Sequence, residues 1–173
     1  AKKYLGRKRK DKLLYETLPA AYNAHKNEPV DERKVIFIEL RLPEVSNSFR
    51  VLYDELKRDF DLDIHVHLLR NSFVPREGYI KRCLRMLEDI SDAHYVFLND
   101  ACNVTSCIPL RKGTKIYQLW HACGAFKKFG MSTAELIFGP NAEELKRHPN
   151  NRNYTYVTVS SPEIVWAYAE AMD

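Results

Sequence analysis

From residue 34 onward, short apolar stretches alternate with amphipathic ones, and that alternation leaves few folds open. KVIFIELR (34–41) is a continuous apolar run, of the kind that forms a strand covered on both faces. SNSFRVLYDELKRDF (46–60) places Phe49, Leu52, Tyr53, Leu56 and Phe60 on one helical face, with Ser46 or Asn47 in position to cap it. DIHVHLL (63–69) reads as a second strand. PREGYIKRCLRMLEDIS (75–91) reads as a second helix, with Pro75 suited to its first turn and Ile80, Leu84, Leu87 and Ile90 along the buried stripe. HYVFLND (94–100), TKIYQLWH (114–121) and NYTYVTVSS (153–161) supply three further strands, and SPEIVWAYAEAMD (161–173) a last helix. Strands alternating with helices predict right-handed crossovers and a fold of the α/β class, a Rossmann-like doubly wound parallel sheet. The strand order expected for it is 3-2-1-4-5. Upstream, KLLYETLPAAYNAHK (12–26) carries Leu13, Leu14 and Leu18 at helical spacing with Pro19 interrupting, and NEPVDER reads as a connector. The expected division is a basic helical segment and connector over 1–33, and the Rossmann-like domain over 34–173.

Several function classes are excluded or demoted by what is missing. A dinucleotide site wants G-x-G-x-x-G after the first strand, but the turn there, LRLPEVSNSF, holds no glycine, and there is no Walker A sequence. The longest apolar runs are far too short to cross a bilayer, and the basic N-terminus lacks the apolar core of a signal peptide. A soluble, cytoplasmic protein is therefore expected. The formal net charge of +4 conceals an uneven distribution: AKKYLGRKRKDK (1–12) holds seven Lys/Arg against one Asp, so taking its +6 from +4 leaves −2 for the rest. Such a patch fits a solvated tail or an anionic membrane face, where each cation near the surface contributes about 1 kcal/mol. Nucleic acid ranks last as a partner, because no aromatic-studded RNA-binding strand accompanies the patch.

In a doubly wound sheet, ligands sit beyond the carboxyl ends of the strands, near the reversal of strand order, expected here between strands 1 and 4. His121 ends the fourth strand and should face the loop RLPEVSNS leaving the first. An imidazole titrates near neutrality and can take a proton from a hydroxyl; a structural hydrogen-bonding role is the competing reading. Ala122, Gly124 and Ala125 keep the following turn open, the next residues begin a helix or turn whose N–H groups favour anions, and Lys127 and Lys128 add charge. A base beside an anion cradle suits phosphoryl transfer. A zinc site from Cys102, Cys107, His121 and Cys123 is weighed and set aside, since C-x4-C with H-x-C is not a usual ligand spacing, and no metal is assigned. Cys83 falls on a helical apolar stripe. His65 and His67 share one face of a strand and are read as sheet-face packing.

KIYQLWHACGAFKKFG (115–130) resembles the W-H-[GA]-x-x-x-K-[KR]-x-G signature of the CDP-glycerol glycerophosphotransferase family, whose members make teichoic acids and related poly(alditol phosphate) chains in Gram-positive bacteria. KVIFIELRLPEVSNSFRVLYDELK is similar to the family's first strand, loop and helix, DAHYVFLNDACNVTS to its strand ending in a polar pair, and VTVSSPEIVWAYAEAMD to a later strand and helix. The resemblance implies the N-terminal, acceptor-side half of a GT-B fold, with a C-terminal domain that binds CDP-glycerol or CDP-ribitol absent from this sequence, and no activity from this part alone. It implies His121 as the catalytic base towards a lipid-linked glycerol-phosphate acceptor, with Gly124, Lys127 and Lys128 holding phosphates. Ser46 and Asn47, at a turn like the family's S-D-N-P, and Asn99 with Asp100 become acceptor contacts. SNSF lacks the acid and the proline of that turn, so the acceptor's identity stays open. No cofactor is implied, and the basic N-terminus fits peripheral attachment to the inner membrane face. The alternatives are the acceptor domain of a GT-B glycosyltransferase and a non-catalytic α/β binding module.

Overall fold

The computed structural model describes residues 2–71, 73–134, 136–137 and 139–172; Asp173, the last residue of the expected final helix, and the side chains of Lys2 and Lys3 in the basic patch lie outside them. The chain opens with a helical rod: α1 (Lys2–Lys12) passes through a π-helical turn at Leu13–Thr17 into α2 (Leu18–Tyr22). Pro19 accounts for the irregularity. Lacking an N–H, it cannot donate back along the helix, and the wider turn ahead of it accommodates the ring.

The alternation then follows in order: β1 (Asp31–Glu39), α3 (Asn47–Asp59), β2 (Asp63–Leu68), α4 (Arg76–Ile90), β3 (Ala93–Leu98), α5 (Asn103–Ser106), β4 (Lys115–Gln118), α6 (Ala142–Arg147), β5 (Tyr156–Val157) and α7 (Val165–Met172). All strand pairings are parallel, as expected, and the doubly wound class holds. The order does not. It is β2-β1-β3-β4-β5, not 3-2-1-4-5, so the reversal lies between β1 and β3. The burial of the strands supplies the reason. β3 is nearly all buried and β2 only half so, because β2 carries His65 and His67 where β3 carries Val96 and Leu98, and the half-polar strand takes the edge. The fifth strand is paired only at Tyr156–Val157, shorter than NYTYVTVSS.

Two cores flank the sheet. On one face Ile36, Ile38, Leu98 and Ile116 pack with Met86, Leu87 and Ile90 of α4 and with Leu14, Leu18 and Tyr22 of the opening rod. On the other, Phe37 meets Phe49 and Tyr53 of α3 edge-on and stacks on Phe97. Among the described residues, that second core draws its helical side chains from α3 alone. At its flank, Tyr95, Tyr117 and Tyr156 form a row of ring contacts across β3, β4 and β5, ending in the half-exposed Tyr156.

The opening rod is tied down by charge as well as by packing. Asp11 accepts from Arg147 and from the buried ring of His148, whose other nitrogen bonds Glu144 at 2.6 Å; Lys10 reaches Glu144 at 3.0 Å. The basic segment is therefore a helix docked on α6 rather than a loose tail.

Candidate active site

The carboxyl ends of β1, β3 and β4 open onto a pocket of about 310 Å³ whose walls include Glu39, Arg41, Ser46, Asn47, Asn99 and His121. His121 sits just past β4 with a side chain 38% exposed, so the ring is open to the pocket rather than walled in. Its Nδ1 lies 2.9 Å from the main-chain carbonyl of Asn99. A carbonyl can only accept, so Nδ1 carries the proton, and in the neutral ring Nε2 holds the lone pair. Asp100 Oδ1 stands 3.9 Å from the same Nδ1, and its other oxygen pairs with Arg41 at 2.5 Å.

Local backbone chemistry sets this posture. Trp120 adopts φ +63°, a left-handed conformation uncommon for a non-glycine residue, and its indole stacks on His121 at 4.8 Å. Gln118 holds it there. Fully buried, it accepts from the Trp120 N–H at 3.0 Å and donates to the Asp100 carbonyl at 2.9 Å and the Tyr154 hydroxyl at 3.1 Å. Trp120 also packs on Phe129, and both rings meet Tyr168 of α7 edge-on.

Of the helix or turn expected after His121, the structure forms no helix directly after the ring. Trp120, Gly124 (φ +80°) and Gly130 (φ +54°) all take left-handed backbone, which no helix continues through, and the segment runs as an irregular loop to a 3₁₀ turn at Gly130–Thr133. The anion-favouring helix end faces the pocket from another element: α3 begins at Asn47, and the first-turn N–H groups of Asn47 and Ser48 have no partner within the helix. Ser46 is its N-cap by position, but its hydroxyl accepts from Asn99 Nδ2 at 3.0 Å instead of capping.

Sequence reasoning missed Glu39. It is 1% exposed at the end of β1; Oε1 accepts from the N–H groups of Arg41 and Leu42 at 3.0 and 3.1 Å, and Oε2 from Asn99 Nδ2 at 2.5 Å. The signal was present: an acid inside VIFIEL, like the amide inside KIYQLW, is buried only if hydrogen-bonded. With Nδ2 turned to the carboxylate, Asn99 Oδ1 is left buried and without a partner.

The sequence of the family described as CDP-glycerol:poly(glycerophosphate) glycerophosphotransferase matches residues 20–173. The chain belongs to that family. It is 37% identical over 145 residues to the teichoic acid ribitol-phosphate primase of Bacillus spizizenii, covering 83% of this chain and 37% of the primase. It is 32% identical over 151 residues to the teichoic acid poly(ribitol-phosphate) polymerase of the same organism, covering 87% of this chain and 23% of the polymerase. Against the ribitol-phosphate polymerase TarK of Staphylococcus aureus it is 34% identical over 142 residues, covering 80% of this chain and 26% of the polymerase. The chain thus spans well under half the length of these relatives.

Within this glycerophosphotransferase-family domain, the pocket brings together His121, Asn99, Asp100, Ser46 and Asn47. It does not bring in the lysines. Lys127 and Lys128 are exposed and line a separate cavity of about 70 Å³ with Phe129 and Trp166, sharing no residue with the His121 pocket. HACGAFKK also sets them one residue further from Ala122 than the signature it resembles. Gly124 meets a backbone demand: at its left-handed φ a Cβ would stand 3.4 Å from the Phe126 ring, and its N–H donates to Ser160 Oγ at 3.1 Å. The thiols do not gather round His121. Cys102 is buried in the core, Cys107 faces Tyr15 and Cys123 is exposed; among the described residues no three His, Cys, Asp or Glu side chains are arranged to hold a metal.

Proposed function

We propose that this chain is the acceptor-side, N-terminal domain of a CDP-alditol phosphotransferase, adding phosphoalditol units to a lipid-linked acceptor in teichoic-acid-type polymer synthesis. The observation that carries the reading is the exposed imidazole with Nδ1 committed to the Asn99 carbonyl and Nε2 available at the pocket. His121 Nε2 takes the proton of the acceptor's terminal hydroxyl as that oxygen bonds to the β-phosphorus of the CDP-alditol; the β-phosphorus–oxygen bond to CMP breaks and CMP leaves. The α3 N-terminus and Arg41 supply positive potential for an acceptor phosphate. Relatives named for ribitol phosphate favour CDP-ribitol over CDP-glycerol as the first donor to assay. The donor itself would be held mainly by a C-terminal domain completing a GT-B arrangement, with residues 1–33 an arm on the acceptor domain 34–173.

Placement at the inner membrane face belongs to the same proposal. No helix among the described residues is long and apolar enough to cross a membrane, and Lys8, Arg9 and Lys12 stand exposed on the docked α1, a surface suited to anionic lipid. The test is CMP release by a full-length protein carrying His121→Ala, supplied with CDP-ribitol or CDP-glycerol. A fall of about 10²-fold or more is expected for loss of a general base. Unchanged turnover would leave a binding module, and UDP release from a UDP-sugar would favour a glycosyltransferase.

A further inference from the structure

We infer that Glu39 is a positioning residue for His121, acting through Asn99 to hold the imidazole in its Nδ1–H tautomer with Nε2 turned to the pocket. The inference rests on the reading of His121 as the proton acceptor. Glu39 is a buried carboxylate that collects three N–H donors, two from its own exit loop and one from the Asn99 side chain. Because a carboxylate only accepts, it dictates which end of the Asn99 amide faces it, and the cost of that orientation is visible in the orphaned Oδ1. The same residue's peptide carbonyl receives the His121 Nδ1–H at 2.9 Å. Asn99 is thus anchored at its side chain by Glu39 and Ser46 and presents its main chain to the ring. The charged groups facing the ring from the neighbouring exits are Asp100, 3.9 Å from Nδ1, and Arg41, which Asp100 holds.

Glu39→Gln places an amide NH₂ against the Asn99 NH₂, two donors face to face, and releases Asn99. The double variant Glu39→Gln with Asn99→Asp restores one donor and one acceptor with their polarity reversed, and leaves the pocket's net charge unchanged. The measurement is a long-range ¹H–¹⁵N spectrum of the His121 ring at about pH 8, where a free imidazole is neutral. The wild type is expected to show one protonated Nδ1, Glu39→Gln a mixture of tautomers, and the double variant a return to Nδ1–H. In a full-length protein, kcat is expected to fall about tenfold with KM held in the single variant, a fraction of what a general base supplies, while the double variant is read by its ring spectrum alone. A folded Glu39→Gln with the wild-type ring spectrum, or a double variant no closer to wild type than the single, overturns the inference. Should Glu39→Gln lose its folded amide spectrum, Asn99→Ala breaks the same tether without opposing two donors, and an unchanged ring spectrum there is equally decisive. The two readings fail separately: a normal tautomer response with no effect of His121→Ala on turnover removes the base and keeps the tether, and the converse removes only the tether.

Discussion

Gly130 shows how a single hydrogen atom governs this site's surroundings. At φ +54°, a Cβ built there would stand 2.1 Å from the Ala171 carbonyl oxygen, inside any tolerable contact. Gly130→Ala therefore combines a left-handed backbone with a backbone clash, and a loss of about 2 kcal/mol or more is expected, checked by urea unfolding. Gln118→Leu tests the other side of the loop. It leaves the part-buried Trp120 N–H without its acceptor, and about 1 kcal/mol or more should go with it, read the same way. At this scale His121, Ser46 and Asn47 were legible as neighbours of one crevice because a strand end and a helix start locate themselves in the sequence, whereas Asn99 and Asp100 entered through the family resemblance. Glu39 and Gln118 were legible only as polar residues inside apolar strands, since their roles come from partners just past the end of β3, Asn99 and Asp100, that no local pattern announces.

Between elements, β2 and α4 are joined by one carboxylate. Asp89 bonds His65 at 2.6 Å and His67 at 2.7 Å, and pairs with Lys34 of β1 at 2.7 Å. Burial alone would raise its carboxyl, but hydrogen bonds from His67, Lys34 and His65 outweigh burial and hold it well below the usual carboxylate range. A depressed carboxylate contributes stability above the unfolded value near 3.9 and loses it as pH falls through the folded one. His65 is the opposite case. Burial would lower it, the hydrogen bond it donates to Asp89 raises it, and the net is upward, so its contribution is full below about 6.5 and fades as pH rises through the folded value. Asp89→Asn should return the His65 titration towards its ordinary value and weaken the acid-side stability loss, both visible by NMR and by melting across pH. The docking of α1 is tested by His148→Ala, which removes the ring between Asp11 and Glu144. Faster trypsin cleavage within residues 7–12, with the rest of the chain as resistant as before, is the expected result.

Across the whole molecule, the parallel layered class was readable because a buried strand and a one-faced helix have unmistakable periods, and the strand order was not. A helix of 15 residues such as α4, about 22 Å long, can carry the chain back over β1 as readily as it can carry it outward. Only the balance of buried and polar strand residues separates those outcomes, with the histidines of β2 marking the edge. The same accounting predicts unequal faces: Phe37→Ala should cost about 3–5 kcal/mol, Tyr156→Ala on the half-covered row less than about 1, a contrast measurable by chemical denaturation. One contact spans both scales of organisation. Tyr168 of α7 touches Trp120, and Trp120 lies flat on His121. An indole's circulating electrons shift the magnetic resonance of protons held above its plane, so the carbon-bound protons of His121 report how firmly α7 is seated. Tyr168→Ala should move those signals without touching the ring itself, making the imidazole its own gauge of a helix that never reaches it.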